Sequence, residues 1–335
     1  MQDQAPVPQI MPAFVTYVLT HRLPCAALML LMLMSAVWLP ALSSGMPAFF
    51  VMLMTTMGLS IHILAPALIA LVTFGGGLIF ASHVAALVAI GIAIATGFAV
   101  VPGLVVFVLY GLMPILGAVL IMRSDGIRLS AQYLAFALGG LTLLGLVLTA
   151  AMQDTGVREL IGQLLNPMFQ DIEQQIPASE QEAVQMLEQS RQMMVEILPG
   201  LIALGLWFTW WGDVVFARNF ARKYGFYQGE YTGLLSLNFG KPVAYLFLVL
   251  LVMMNLGSGE LHYLAANAGI LIGGLLAAQG IAVGHSWLKA KGMLLSIAMM
   301  YFMLIVWSIL IIPFMIIGLM DIWFDYRRNM PAVGG

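Results

Sequence analysis

Long apolar stretches follow one another along the chain and are separated by short breaks of glycine, proline and serine. An α-helix needs about 20 apolar residues to cross ~30 Å of hydrocarbon at ~1.5 Å per residue. The apolar stretches cover residues 25–43, 47–73, 77–99, 103–122, 130–151, 198–217, 241–257 and 262–284, and a longer run, 293–324, follows them. Membrane strands would require recurring segments of about ten residues in which apolar and polar residues alternate, and the sequence has no such segments. The pattern predicts an all-α fold, a polytopic transmembrane helix bundle of eight to ten spans.

One segment, 152–197, differs from the apolar stretches because it is acidic and amphipathic. It holds eight acidic and two basic residues. Apolar residues recur there at spacings of three and four between Val157 and Ile176, which draws one stripe along a helix. Ser179 and Glu182 match a capping box that begins a second helix. We expect an extramembrane amphipathic helical hairpin that lies on the membrane surface, covers a site as a lid, or docks a partner.

The same patterns divide the chain and orient it. Clusters of Lys and Arg mark breaks that are separated by even numbers of spans, which predicts a multi-pass protein of the bacterial inner (cytoplasmic) membrane with a cytoplasmic N-terminus. Arg327 and Arg328 favour a cytoplasmic C-terminal end if 293–324 folds as a hairpin near Pro313, whereas a single tilted helix would place that end outside. The predicted parts are an N-terminal tail 1–24, a first helix group 25–151, an extracytoplasmic insertion 152–197, a second helix group 198–326 and a tail 327–335.

Composition and charge agree with a membrane protein. Of the 335 residues 62% are hydrophobic and 8% are charged, which is about a third of the ~25% charged residues usual in soluble domains. The 13 Lys and Arg are balanced by 15 Asp and Glu, so the chain has no basic field for nucleic acid. The single cysteine, Cys25, excludes an intramolecular disulfide and any multi-cysteine metal site.

Small residues recur at every fourth position in two of the predicted spans. Lipid supplies no hydrophobic force between helices, so close backbone approach along small residues provides the van der Waals contact that joins them. We therefore expect two helix–helix seams. The first stripe is Gly77, Ala81, Ala85, Ala89, Ala93 and Gly97, and the second is Ala265, Gly269, Gly273 and Ala277.

Catalytic signatures are absent from the sequence. It contains no HExxH, GxSxG or GxxxxGK[ST] motif, and its five histidines are scattered, so we expect no enzyme activity, no metal site and no cofactor. Polar side chains within apolar spans are the candidates for function, because their burial is costly. We expect each of them to contact a ligand or to form a hydrogen bond with a neighbouring helix. Asp213 precedes a basic cluster, and we expect it to pair with a cation or to line a polar cavity. These candidates are His62, Asp213, Asn267, Gln279 and His285.

A cluster of acidic, aromatic and basic side chains ends the last span. Its spacing predicts that Arg328 reaches Asp325 and that Arg327 stacks on Trp323. The cluster anchors a helix end at the membrane boundary, or it forms a site together with Gln279 and His285. Its members are Asp321, Trp323, Asp325, Arg327 and Arg328.

The C-terminal third resembles a known family. The run QGIAVGH at 279–285, Gly292 and the run GLMDIWFDYRR at 318–328 are similar to the YybS-like bacterial inner-membrane proteins, whose function is unknown. The resemblance covers about 260–328 and upstream is limited to the order of apolar stretches. It implies no catalytic residue. A weaker similarity of helix arrangement links the family to substrate-binding subunits of energy-coupling-factor vitamin transporters, which is an analogy of fold.

Two functions follow from these patterns. The first is a membrane subunit that binds or moves a small solute, with energy from a partner or an ion gradient because the chain has no nucleotide motif. The second is a structural or assembly subunit of an inner-membrane complex that docks through 152–197 and the 218–241 loop. In both cases the expected partners are the lipid bilayer and other membrane proteins of a complex.

Overall fold

A computed structural model describes residues 10–124, 126–177, 180–229 and 233–329. Within these ranges the chain folds into helices joined by short turns and contains no strand, which confirms the predicted all-α class. The α-helices are α1 (Ala13–Thr20), α2 (Arg22–Leu42), α3 (Ala48–Ile63), α4 (Ala65–Ala95), α5 (Val100–Val106), α6 (Met113–Ser124), α7 (Ile127–Met152), α8 (Val157–Glu173), α9 (Gln181–Lys223), α10 (Lys241–Leu256), α11 (Gly259–Ala290), α12 (Leu294–Val306) and α13 (Ile311–Phe324). A π-helical turn, Phe107–Leu112, joins α5 to α6.

Six helical stretches of the described chain are long and apolar enough to cross a membrane. They are α2, α3 with α4, α5 with α6, α7, α9 and α11, and α12 with α13 makes a seventh if that bent pair is one span. The number is lower than the eight to ten predicted. The predicted spans 47–73 and 77–99 fall within one candidate stretch, Ala48–Ala95. In addition, α10 has only 16 residues, fewer than the ~20 that a span needs.

Two breaks in the apolar stretches differ in kind, since one is a kink at a glycine and the other is a sharp bend between two helices. Gly77 has φ 77° and ψ 177°, which interrupts α4 at the predicted glycine-rich break, and glycine adopts this conformation without steric cost. The run 293–324 forms two helices rather than one, and the angle between α12 and α13 is 116°. That bend lies at Trp307–Leu310, and Pro313 follows it inside the first turn of α13, where its missing N–H removes no helical hydrogen bond.

Contacts divide the chain into two compact units that interleave in sequence. Unit 1 comprises the described residues of Met1–Leu134 and Trp207–Thr232, and unit 2 comprises those of Ala135–Leu206 and Gly233–Gly335. The helices α7 and α9 each contribute residues to both units. Each unit therefore draws on both of the predicted helix groups.

The core of unit 1 is built on α2 and α4, with the π-helical turn and α6 packed against α4. Part of the first small-residue stripe faces the α5–α6 stretch. A Cβ built on Gly111 would lie 2.8 Å from the Ala85 Cβ, and one on Gly103 would lie 2.8 Å from the Ala89 carbonyl oxygen. Gly77 and Gly97 have positive φ and open space around them, so the helical part of the stripe runs from Ala81 to Ala93.

The core of unit 2 is built on α11, which packs along α10 and α13. Backbone approaches backbone closely at two glycines of the stretches that carry the family resemblance. A Cβ on Gly280 would collide with the Phe314 carbonyl oxygen, and one on Gly318 would collide with the Leu276 carbonyl oxygen.

The predicted stripe on α11 has a mixed environment. Ala265 and Ala277 are buried. A Cβ on Gly273 would lie 2.9 Å from the Met315 sulfur, whereas a Cβ on Gly269 would meet nothing within 4 Å.

The acidic segment forms the expected helical hairpin from α8 and the first part of α9. Ile161, Leu165 and Phe169 are buried on α8 and pack against apolar side chains of α9 such as Leu187 and Leu198. The second helix of this hairpin does not end at the predicted boundary, because α9 is continuous from Gln181 to Lys223.

Some predictions from the sequence concern segments with undescribed residues. The predicted capping residue Ser179 lies outside the described residues. The predicted N-terminal tail 1–24 contains α1 and the start of α2, while its residues 1–9 are outside the described ranges. The predicted tail 327–335 is described only to Asn329.

Candidate functional site

A cavity of about 240 Å³ lies within unit 2 between α7, α9, α10 and α11. Nearly all of its wall is carbon, contributed by side chains such as Phe136, Leu250 and Leu271. The side chains with polar atoms in the wall are Thr142, Tyr263 and Asn267. Each of these three donates a hydrogen bond to a backbone carbonyl. The cavity therefore presents an apolar surface to whatever occupies it.

The wall on the α9 side is shaped by Pro199. A proline lacks the N–H that would bond the carbonyl four residues earlier, and its ring disturbs that turn of the helix. The carbonyl left without this donor is that of Val195. The Tyr263 hydroxyl on α11 donates to the Val195 oxygen at 3.1 Å. A side chain of α11 thus supplies the hydrogen bond that the helix cannot make for itself.

Asn267 forms hydrogen bonds with the next pair of backbone groups in the same turn of α9. Its Oδ1 accepts from the Gly200 N–H at 2.7 Å, and its Nδ2 donates to the Glu196 carbonyl at 2.8 Å and to the Tyr263 carbonyl at 2.9 Å. The Gly200 N–H and the Glu196 carbonyl are the pair that a regular helix joins directly. Asn267 therefore bridges α9 to α11, which explains why α9 continues through the predicted end of the insertion.

An ion pair lies beside this turn. An Nη atom of Arg158, at the start of α8, lies 2.9 Å from a carboxylate oxygen of Glu196, and its guanidinium carbon lies 5.1 Å from the centre of the Tyr263 ring. The neighbouring Val157 lines the cavity. Arg158 and Glu196 are 44% and 42% exposed, so their pairing contributes only about 0–1 kcal/mol. The contacts nevertheless place the N-terminus of α8 next to the cavity wall.

A second polar network lies in unit 2 at the end of α13. The Asp321 side chain is fully buried, and its Oδ2 accepts from Gln279 Nε2 at 2.8 Å and from Arg327 Nη2 at 2.6 Å. Its Oδ1 accepts from the Tyr326 N–H at 3.0 Å. Gln279 Oε1 accepts from the Phe239 N–H at 2.8 Å. Since the carboxylate and the amide both have partners, this cluster joins α11, α13 and the segment before α10 as a structural unit.

The contacts of this cluster differ from those expected from spacing. Trp323 packs against the Tyr245 ring with centroids 6.2 Å apart, whereas Arg327 pairs with Asp321. Within the described chain no ion pair joins Arg328 to Asp325. The reason is the left-handed conformation of Asp325, φ 44° and ψ 60°, which ends α13 and removes the helical spacing that the expectation assumed.

His285 lies apart from this cluster. Its Nδ1 is 3.0 Å from the Tyr301 hydroxyl oxygen, so it bonds to α12. Of the site that the sequence predicted from the terminal cluster with Gln279 and His285, the structure therefore brings together Asp321, Arg327 and Gln279.

In unit 1, His62 joins two other helical segments. Its Nδ1 lies 2.8 Å from the Leu33 carbonyl oxygen of α2, and its Nε2 lies 2.6 Å from the Tyr110 hydroxyl of the π-helical turn. The carbonyl acceptor requires the proton on Nδ1, so in the neutral imidazole Nε2 accepts from the Tyr110 O–H. The Trp210 indole N–H donates to the Leu109 carbonyl in the same turn. Two polar groups of the irregular turn, the Tyr110 hydroxyl and the Leu109 carbonyl, are thus bonded by side chains of other helices.

Asp213 also lies in unit 1, on the second half of α9. Its side chain is buried, with the residue 5% exposed, and its Oδ2 has no hydrogen-bond partner. The predicted pairing with a cation is not seen, since the ion pairs of the described chain do not include Asp213. Among the candidates predicted from the sequence, Asp213 thus combines a buried carboxyl group with an oxygen, Oδ2, that accepts no hydrogen bond.

The described residues contain no group of three or more His, Cys, Asp or Glu side chains placed to hold a metal ion. Sequence reasoning did not identify Tyr110, Arg158 or Tyr263. A usable signal existed for Tyr263, because it lies four residues before Asn267 and therefore on the same face of a helix. A proline within the long apolar stretch of α9 indicates that this helix has a carbonyl without its usual donor, which polar side chains of another helix must bond.

A family model described as predicted membrane protein (DUF2232) matches residues 46–322. Comparisons with curated proteins and with solved structures gave no match. The matched region includes the cavity, His62, Asp213 and Asp321, and it ends before Trp323 and Arg327. Since the match covers most of the chain, and six helical stretches of the described residues are long and apolar enough to cross a membrane, this multi-pass chain belongs to the DUF2232 family of predicted membrane proteins.

Proposed function

We propose that the protein is a membrane subunit that binds a small, predominantly apolar solute in the cavity of unit 2. The observation that carries this proposal is the volume of about 240 Å³ with its apolar wall. An engineered apolar cavity of about 150 Å³ binds benzene, so this cavity has room for a larger ring or a short branched chain. Sites for drug-sized ligands begin at about 300 Å³. The solute is therefore small, or it is the apolar part of an amphiphile.

The rest of the proposal concerns energy and location. The chain has no nucleotide-binding motif, so any movement of the solute would draw on a partner subunit or an ion gradient. The proposed role is binding or transport without catalysis. The resemblance to YybS-like proteins and, through them, to substrate-binding subunits of vitamin transporters supports a binding role. The distribution of Lys and Arg supports the bacterial inner membrane with the N-terminus in the cytoplasm.

Gly140 offers a direct test, because it lines the cavity and a Cβ built on it meets nothing within 4 Å. Gly140→Phe adds a large side chain at the wall of the cavity, at a position where the new Cβ strikes no other atom. The wild-type protein, purified with its native lipids, is expected to carry a small apolar molecule that mass spectrometry detects. Gly140→Phe is expected to lose this molecule and to lose thermal stabilisation by apolar alcohols, isoprenols and aromatic vitamins.

Gly145→Phe is the matched control on the same helix. Gly145 also has open space around it but does not line the cavity. The control is expected to keep the bound molecule and the thermal shifts of the wild type. Equal occupancy and equal shifts in both variants, or no bound molecule and no shift in the wild type across the panel, would contradict the proposal.

A second candidate function, an assembly subunit of a membrane complex, is favoured by one surface of α8. Leu164, Met168 and Ile172 are 64%, 49% and 41% exposed, although other apolar residues of α8 are buried against α9. Three exposed apolar side chains at helical spacing form a face that a partner membrane protein could cover.

This second function makes a different prediction. A Leu164→Glu, Met168→Glu variant should lose a stoichiometric partner in affinity purification from mild detergent. Gln163→Glu, which adds a charge on an exposed position of the same helix, should retain it. Purification of the wild type without any stoichiometric partner would exclude the assembly function.

A further inference from the structure

Two aspartates are buried in the described chain, and they have opposite surroundings. Asp321 accepts hydrogen bonds on both oxygens and pairs with Arg327. Asp213 is also at least nine-tenths buried, but its Oδ2 accepts no hydrogen bond. An ionised carboxylate that is buried without a partner is strongly destabilising, and proteins avoid it by neutralising the group.

The charged groups near Asp213 do not neutralise it by an ion pair. On its own helix the nearest cation in sequence is Arg218, about 7.5 Å further along the axis at ~1.5 Å per residue. Arg218 donates to the Asn219 side chain at 3.2 Å. Packing contacts place this part of α9 against the π-helical turn, α6 and the start of α7. The titratable and charged side chains of those elements are Tyr110, Arg123, Arg128 and Tyr133.

None of those four groups supplies a charge to the carboxyl. Arg123, Arg128 and Tyr133 are exposed. The Tyr110 hydroxyl is bonded to His62. The ion pairs of the described chain include neither arginine. Since no cation of the described residues pairs with Asp213, a proton from water is the species that can neutralise its carboxylate.

We propose that Asp213 is a proton-binding site of unit 1. The carboxylate oxygen takes a proton from hydronium to give a neutral carboxylic acid and water, and the acid returns the proton to water when it ionises. An ionisable side chain within an apolar helix marks a functional position, and reversible protonation would give the protein a means of sensing or using a proton gradient. The inference does not rest on the solute proposal, since Asp213 and the cavity belong to different units.

Infrared spectroscopy tests the protonation directly. The full-length protein is studied in a detergent without ester groups, where the C=O stretch of a protonated carboxylic acid is separated from the amide bands. At neutral pH the wild type is expected to show this acid band, and Asp213→Asn is expected to lose it. The band should disappear reversibly as the pH is raised, with a matching gain in carboxylate absorption.

Two further variants keep the test decisive. Asp213→Glu retains a carboxyl group and should retain a protonated acid band at neutral pH, so it serves if Asp213→Asn does not fold. Glu188→Gln removes an exposed, ion-paired carboxylate and should leave the acid band unchanged. A wild-type spectrum without an acid band at neutral pH, or a band that survives in folded Asp213→Asn, would overturn the proposal.

Discussion

Tyr263 donates its hydroxyl proton to the Val195 carbonyl, which the proline at position 199 leaves without a helical donor. Asn267, one turn further along α11, joins the next pair of backbone groups in α9. A break in one helix is thus completed by two side chains of another, at the wall of the cavity. These contacts fix α9 to α11 and give partners to the backbone groups that Pro199 leaves unbonded.

The bond from Tyr263 can be measured by a double-mutant cycle with Pro199. Tyr263→Phe is expected to lower the free energy of unfolding by about 1–3 kcal/mol, because a buried carbonyl loses its donor. In a Pro199→Ala background the Ala N–H bonds the same carbonyl, so the cost of Tyr263→Phe should fall. Thermal or denaturant unfolding in detergent measures the four proteins. Equal costs in the two backgrounds would show that the hydroxyl does not replace the missing N–H.

Asn267→Leu tests the second half of the same turn. Its effect is expected to be larger than that of a single lost hydrogen bond, because both the Gly200 N–H and the Glu196 carbonyl lose their partner, at about 1–3 kcal/mol each. Asn255→Leu is the control, since the exposed Asn255 bonds only to the Leu251 carbonyl in its own helix. Similar melting temperatures for the two variants would contradict the bridging role of Asn267.

Hydropathy predicts the helices well but cannot predict how many cross a membrane. The all-α class and the α8–α9 hairpin follow from residue periodicity, which is a local property of the chain. The span count depends on whether successive helices such as α3 and α4 run together, and residues 47–99 contain no Asp, Glu, Lys or Arg that would mark a boundary between two spans. The cavity was not predictable, because its wall comes from helices that are far apart in sequence.

The individual polar residues illustrate the same limit. Burial in an apolar stretch predicts that Asn267 and Gln279 must find hydrogen-bond partners, but it does not predict which. For Arg327 the prediction of stacking on Trp323 assumed a helix, and the left-handed Asp325 turns the chain so that Arg327 meets Asp321 instead.

The ion pair between Asp321 and Arg327 is expected to be essential for stability. Arg327→Gln leaves a fully buried carboxylate without its cation, and breaking one partner of a buried pair costs about 3–5 kcal/mol. Arg328→Gln changes the adjacent, exposed arginine and should leave the melting temperature unchanged. Adding Asp321→Asn to Arg327→Gln should recover part of the loss, because the uncompensated charge is removed. Equal stability of the two single variants would show that Arg327 does not neutralise Asp321.

The seam between α11 and α13 can be tested at two glycines of one helix. Gly280→Ala would place a Cβ against the Phe314 carbonyl oxygen, which is rigid backbone, so α11 and α13 would have to separate. Gly269→Ala adds the same methyl group where nothing lies within 4 Å, and replacing a glycine within a helix is expected to stabilise it by about 0.5–1 kcal/mol. We expect a large loss of folded protein for Gly280→Ala and an unchanged or raised melting temperature for Gly269→Ala, measured by size-exclusion chromatography and thermal unfolding. A folded yield of Gly280→Ala equal to that of Gly269→Ala would mean that the helices are not held at backbone contact.

The bond between His62 and Tyr110 provides a test in unit 1. Tyr110→Phe removes the hydroxyl that donates to the His62 imidazole, and the unbonded ring nitrogen is expected to cost about 1–3 kcal/mol in the free energy of unfolding. Tyr133→Phe removes a hydroxyl from a tyrosine that is 53% exposed, and it should have little effect. Because the His62 Nδ1 remains bonded to the Leu33 carbonyl, the loss should be partial, and Tyr110→Phe should still fold.

Hydrogen exchange of the Phe107–Leu112 turn should rise in Tyr110→Phe only, since that turn loses a contact that holds it to α3. Unchanged exchange together with an unchanged melting temperature would show that this bond does not stabilise the turn.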